Sequence, residues 1–170
     1  MSISNDIKEL LDIQDPNITF EKNFIEEGIH KGKPCKYVTG KLTYDPMACK
    51  KCGIKNEDNI VIKNGTQTSR ITLLISGVQP TYLRLKKQRF VCKACESSFV
   101  AETSIVKRNC YISENTKAQV VIRSTEAQPL ITIAKDCSVS PTTVQRVITE
   151  EAKAFKPHHQ ALPKHLSFDE

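Results

Sequence analysis

Two cysteine pairs constrain this chain more than anything else in it. Cys49-Lys50-Lys51-Cys52 and Cys92-Lys93-Ala94-Cys95 are C-x2-C knuckles separated by 39 residues. Two intervening residues let a tight turn aim both sulfurs of a pair at one ion, and two such turns complete a four-thiolate tetrahedron that suits structural Zn2+. The chain between them must therefore leave and return. Short strand-type runs, Ile60–Ile62, Ile71–Ile75 and Tyr82–Leu85, are separated by Asn64-Gly65 and by Gly77 through Pro80, the pattern of a hairpin. A zinc ribbon over residues 41–108 is the fold these features predict. With Cys49, Cys52, Cys92 and Cys95 as ligands no coordination position stays open, so the metal is expected to be structural and not catalytic. A redox dithiol or an iron site is the other use of the same thiols. Gly53 supplies a permissive backbone just after the first knuckle, whereas Glu96 stands at the equivalent place in the second.

The remaining cysteines, Cys35, Cys110 and Cys137, lack a knuckle partner and read as ordinary thiols. His30, His158, His159 and His165 lack the spacing of a ligand pair and read as surface or linker residues. No run approaches the roughly 20 apolar residues of a membrane span, and Met1–Leu11 lacks a basic region followed by an apolar stretch. The expectation is a soluble, cytoplasmic protein with no membrane partner, a compartment in which paired cysteines serve metals more often than disulfides.

The formal net charge of +6 is unevenly spread. Residues 1–30 carry two basic and seven acidic side chains, residues 31–108 sixteen and five, and residues 109–170 seven of each. A positive field concentrated on the ribbon favours a polyanion, nucleic acid above all, although a solubilising lysine surface is the plainer reading. Along Tyr82–Arg89, Arg84, Lys86 and Gln88 alternate with Leu83 and Leu85, which predicts a strand with one apolar and one basic face. Arg84, Lys86, Lys87 and Arg89 are the candidate phosphate contacts, which give affinity and salt dependence without sequence choice.

After Asn109 the periodicity becomes helical. Ser113 is a candidate N-cap for a helix through Val120, Val121 and Ile122 that ends before Pro129. Runs over Ile131–Cys137 and Pro141–Phe155 follow. In these, Ile133, Cys137, Val139, Val144 and Val147 have the internal spacing of a helix-turn-helix, Ala134 allows a close crossing, and Ser140-Pro141 starts the second helix. Ser138 occupies the turn position where glycine often permits left-handed backbone, at a cost of roughly 1 kcal/mol. The outward residues Thr142, Thr143, Gln145, Arg146 and Thr149 are the candidate major-groove contacts, with Gln145 and Arg146 as base readers. An ordinary helical hairpin is the alternative. The overall expectation is α+β: an N-terminal appendage (1–40) with a short helix capped by Ser4, the ribbon (41–108), a three-helix unit (109–156), and a linker leading into a further strand (157–170).

The order of these parts resembles the N-terminal portion of bacterial insertion-sequence transposases of the ISL-three family. The resemblance rests on Cys49-x2-Cys52, on Arg89-Phe90-Val91-Cys92-x2-Cys95-x3-Phe99, on Ile133-Ala134 through Val147, and on Leu162-Pro163-x2-Leu166-Ser167-Phe168-Asp169-Glu170. It implies double-stranded DNA as partner, the terminal inverted repeats of the element as target, and self-association on paired ends. In that family the closing Asp-Glu opens a ribonuclease-H-like catalytic domain, and by resemblance Asp169 is the first of its metal-binding carboxylates. Two-metal phosphoryl transfer needs several carboxylates around Mg2+, so Mg2+ belongs to a full-length relative and this chain is expected to be the truncated, non-enzymatic DNA-binding part. A stand-alone regulator or inhibitor of transposition, or a zinc-ribbon protein-interaction module, would use the same residues.

Overall fold

The computed structural model describes residues 3–154, Ser76 excepted. Helix α1 (Ile3–Leu10) leads into β1 (Ile18–His30), β2 (Lys33–Leu42), β3 (Val61–Thr72), β4 (Thr81–Cys92) and β5 (Ser98–Val100), and three helices follow: α2 (Glu114–Ser124), α3 (Leu130–Asp136) and α4 (Pro141–Ala154). The strands form one sheet in the order β1-β2-β4-β3, with β5 paired to the end of β4. All neighbours are antiparallel except β2 and β4, which run parallel from Lys36 beside Thr81 to Leu42 beside Lys87. The architecture is α+β, with the four-cysteine turns at one end of the sheet.

Residues 18–42, expected as an appendage and an extended stretch, are two strands of this sheet. They turn at Lys31-Gly32, both with positive φ (51° and 74°), which matches the right-handed twist of a two-residue hairpin. Their period-2 signal is weak for a physical reason. A bulge between Phe20 and Ile25 shifts the register, and β1 is an edge strand whose Glu21, Glu26 and Glu27 are exposed. Asn64-Gly65, expected as a turn, lies inside β3, where the register shifts between Lys63 and Thr66 and Gly65 has a φ of 69°. The glycine makes a bulge, not a reversal, and the chain turns back near Gly77 (φ 74°) instead.

Val38, Leu42, Leu83, Leu85 and Ile71 face the main core with Ile18, Phe20 and Ile7. Gly40 sits over the Phe20 ring, and a Cβ there would lie 2.9 Å from it. Ser4 is inside α1 and does not cap it; its hydroxyl accepts from the Phe20 N–H at 3.2 Å and ties the helix to β1. Ile7 is buried and Leu11 packs on the core, but Leu10 is 75% exposed.

A second apolar cluster holds the three C-terminal helices: Val120 of α2, Ile133, Ala134 and Cys137 around α3, and Val144 and Val147 of α4, with Val139 against them. Ser113 caps α2, accepting from the Thr116 N–H at 3.2 Å. The helical unit is anchored to the sheet through Thr72 at the end of β3. Its N–H donates to the Tyr111 carbonyl at 2.8 Å, and its carbonyl accepts from the Ser113 N–H at 3.0 Å and the Thr116 hydroxyl at 3.3 Å.

A four-cysteine site beside a basic surface

The first knuckle is built by backbone hydrogen bonds that the sequence spacing makes possible. The Cys49 N–H donates to the Ile54 carbonyl at 2.8 Å, and the Gly53 N–H returns to the Cys49 carbonyl at 2.9 Å. Gly53 has a φ of 75°, the left-handed backbone such a turn requires. In the second knuckle Cys92 ends β4, its N–H donating to the Ser97 carbonyl at 3.0 Å, and Glu96 takes the left-handed position with a φ of 55°. Glutamate therefore does here what glycine does in the first turn. Asn56 clips the two knuckles' strands into place, accepting from the Val61 N–H at 2.7 Å and donating to the Pro46 carbonyl at 3.0 Å.

The four sulfurs of Cys49, Cys52, Cys92 and Cys95 lie within 4.8 Å of one another. They meet across the knuckles: Cys49 Sγ is 3.7 Å from Cys95 Sγ, and Cys52 Sγ is 3.9 Å from Cys92 Sγ. A tetrahedron with metal–sulfur bonds of about 2.3 Å has edges of about 3.8 Å, so the thiols stand where four zinc ligands would stand. Cys49 and Cys92 are buried, and Cys52 and Cys95 reach the surface. Phe90, buried in the same cluster as Cys49 and Cys92, packs on Phe99 and Tyr44 at ring separations of 5.3 and 5.6 Å.

The thiols share negative charge unevenly. The Cys52 backbone N–H, with help from that of Lys51 and from the Cys52 and Ser97 side chains, brings Cys49 down to about 6 against the opposing effect of burial. At Cys52 the Ile54 N–H lowers the pKa, but the Cys95 thiol, burial and the Cys49 and Cys92 thiols outweigh it and push the group up to about 12. The Ser97 hydroxyl, 2.9 Å from Cys95 Sγ, and then the Ser97 N–H lower the Cys95 pKa. A divalent cation held by these thiols would resolve this competition, because it would favour all four thiolates at once. Ser97 and Asn56 are supports that sequence reading missed; only their proximity to a knuckle marked them.

The candidate phosphate contacts on β4 divide. Lys86 and Arg89 are exposed and Lys87 is half-buried. Arg84 is committed elsewhere: its guanidinium is 2.8 Å from Glu26 and stacks 3.7 Å above the Tyr37 ring. Gln88, expected on the basic face, is buried, and its Nε2 donates to the carbonyls of Gly65 at 2.8 Å and Arg89 at 3.0 Å. It pins the β3 bulge, a role that alternation along one strand could not reveal.

On α4, Thr142, Gln145, Arg146 and Thr149 are exposed and Thr143 is half-buried. Positions 142, 145, 146 and 149 recur at i, i+3, i+4 and i+7 and so share one helix face. Ser140 caps the helix, accepting from the Thr143 N–H at 3.1 Å. Thr149 donates to the Gln145 carbonyl at 2.8 Å, and the Gln145 amide reaches the Thr149 hydroxyl at 3.4 Å. The start of α4 faces the sheet across a cleft of about 550 Å3 whose walls include Lys31, Lys33, Arg70 and Lys135. His30 lines it too, its pKa lowered by burial and then by Arg70 and Lys31. Asp169 and the linker residues lie outside the described residues. No helix among the described residues is long and apolar enough to cross a membrane.

Fold and site together define a small sheet closed at one end by a four-cysteine metal site of the zinc-ribbon kind. Residues 45–95, which span both knuckles, match the family described as the zinc-finger of transposase IS204/IS1001/IS1096/IS1165. No curated protein and no solved structure matches the chain.

Proposed function

We propose that the chain binds one structural Zn2+ through Cys49, Cys52, Cys92 and Cys95 and binds double-stranded DNA as the DNA-binding part of a transposase. The observation that carries this reading is the four-thiol cluster at tetrahedral spacing, inside the segment that matches a transposase zinc finger. Zinc fixes the two knuckles and thereby the basic ribbon, whose Lys86, Lys87 and Arg89 meet phosphates. Arg84, tied to Glu26, would contribute only by exchanging that partner. Residues 109–156 act as a helix-turn-helix. Supporting this are the buried Ile133, Val144 and Val147, which hold α4 on α3, and the exposed stripe of Thr142, Gln145, Arg146 and Thr149. That stripe enters the major groove of the element's terminal inverted repeats, Gln145 on adenine and Arg146 on guanine, with Thr143 at the helix start.

The test is a titration of zinc-loaded protein against the terminal repeat and a scrambled duplex. Gln145→Ala and Arg146→Ala are each expected to cost about 1–3 kcal/mol on the repeat and far less on the scrambled duplex. Equal losses on both duplexes would contradict base reading by α4.

A further inference from the structure

A cleft of about 590 Å3 lies between the first knuckle and residues 98–111, on a part of the molecule that α2, α3 and α4 do not line. Lys50 and Lys51 enter it from the knuckle, Lys87 from β4, and Lys107 and Arg108 from the connector that leads into α2. Glu102 is the single carboxylate among its lining residues, and Lys50 already holds it in an ion pair. Lys51, Lys87, Lys107 and Arg108 have no ion-pair partner among the described residues.

Such an arrangement is unusual for a purely solubilising surface. Solvated lysines spread apart, whereas here three separate segments converge four unpaired cations on one concavity. Lys87 is half-buried there, so its ammonium has lost part of its water without gaining a hydrogen bond. Burial lowers its pKa, and the pull of Glu102 opposes this only in part. An anion seated in the cleft would replace the missing solvation and relieve the mutual repulsion of the walls. The volume falls within the roughly 300–1,000 Å3 range of binding clefts, and its open shape suits a strand of backbone better than an enclosed small molecule.

We propose that this cleft clasps the phosphate backbone of duplex DNA through Lys51, Lys87, Lys107 and Arg108. The inference rests on the DNA-binding reading above and extends it from Lys87 on β4 to Lys51 of the first knuckle and to Lys107 and Arg108 of the connector. Because the first knuckle forms one wall, the grip predicts that DNA binding depends on zinc although the metal touches no DNA.

The experiment follows duplex binding of the zinc-loaded full chain by anisotropy across a salt series. Replacing Lys87, Lys107 and Arg108 together by Gln is expected to reduce the slope of log K against log salt by about 2.7, three contacts at about 0.9 each. A control with the same charge change, Lys8→Gln, Lys36→Gln and Lys41→Gln, should leave the slope within about 0.5 of wild type. Should the half-buried Lys87 prove necessary for folding, Lys107→Gln with Arg108→Gln alone alters only exposed side chains and should reduce the slope by about 1.8. An unchanged slope in a folded cleft variant overturns the proposal, as does a change equal to that of the control. A slope change confined to single strands overturns the duplex assignment. Wild-type binding with no preference for the repeat would sink base reading by α4 and leave the cleft standing, whereas no binding to any duplex would sink both.

Discussion

Replacing Ser138 with glycine should stabilise the protein. Ser138 follows α3 with a φ of 53°, and two hydrogen bonds close the turn around it: Val139 N–H to the Ala134 carbonyl at 3.0 Å and Ser138 N–H to the Lys135 carbonyl at 3.2 Å. This is the Schellman arrangement, in which the residue after the cap is left-handed and usually glycine. A Cβ in that backbone costs about 1–2 kcal/mol. Glycine removes the cost but widens the unfolded ensemble, which returns about 0.4–1 kcal/mol. From the midpoints of these ranges the net gain is about 0.8 kcal/mol, or a rise of about 2–3 °C in Tm for a chain of this size. Ser138 makes no side-chain hydrogen bond among the described residues, so none is lost. Thermal unfolding followed by circular dichroism is the assay, with Ser138→Ala as control because it keeps the Cβ and should stay within about 0.5 kcal/mol of wild type. A glycine variant no more stable than the alanine variant would refute the assignment of strain to this turn.

Other outcomes follow from the same contacts. Val144, fully buried between the helices, loses two carbons in Val144→Ala, about 1.6 kcal/mol of transfer and about 2–3 with the cavity, while Gln145→Ala beside it should cost under about 0.5 by denaturant melt. Gln88→Ala strips the Gly65 carbonyl of its donor and should cost about 1–3 kcal/mol, yet leave the salt slope of DNA binding unchanged. Reaction with a thiol reagent near neutral pH should be rapid at Cys110 alone in the zinc-loaded protein. Cys35 and Cys137 are buried, and burial together with Asp136 keeps the Cys137 thiol protonated. A chelator should release the four site thiols as a group.

The knuckles were legible because two-residue spacing lets both thiols of a pair face one point, and the C-terminal helices because Ile133 and Cys137 recur at i, i+4, Val144 and Val147 at i, i+3, and Ser113 and Ser140 cap as their positions suggest. What was illegible depended on partners distant in sequence. β1 becomes a strand by pairing with β2, and β2 by pairing with β1 and β4, which a bulged, acidic edge strand does not announce. Gly65 looks like a turn until Gln88 is seen holding its carbonyl in a bulge. Arg84 reads as a phosphate contact until Glu26, 58 residues away in sequence, is found beside it. Lys107 and Arg108 carried no motif, and only the fold brings them opposite Lys51 and Lys87.

The most direct test of the account is one titration performed twice, with zinc-loaded and with zinc-stripped protein, against the element's terminal repeat and a scrambled duplex at about 0.15 M salt. The account predicts one zinc per chain, a preference for the repeat of about 10³-fold or more, and loss of binding to both duplexes when the metal is removed. Undiminished, equally selective binding by the stripped protein would contradict it, because the four-cysteine site would then organise nothing that DNA touches.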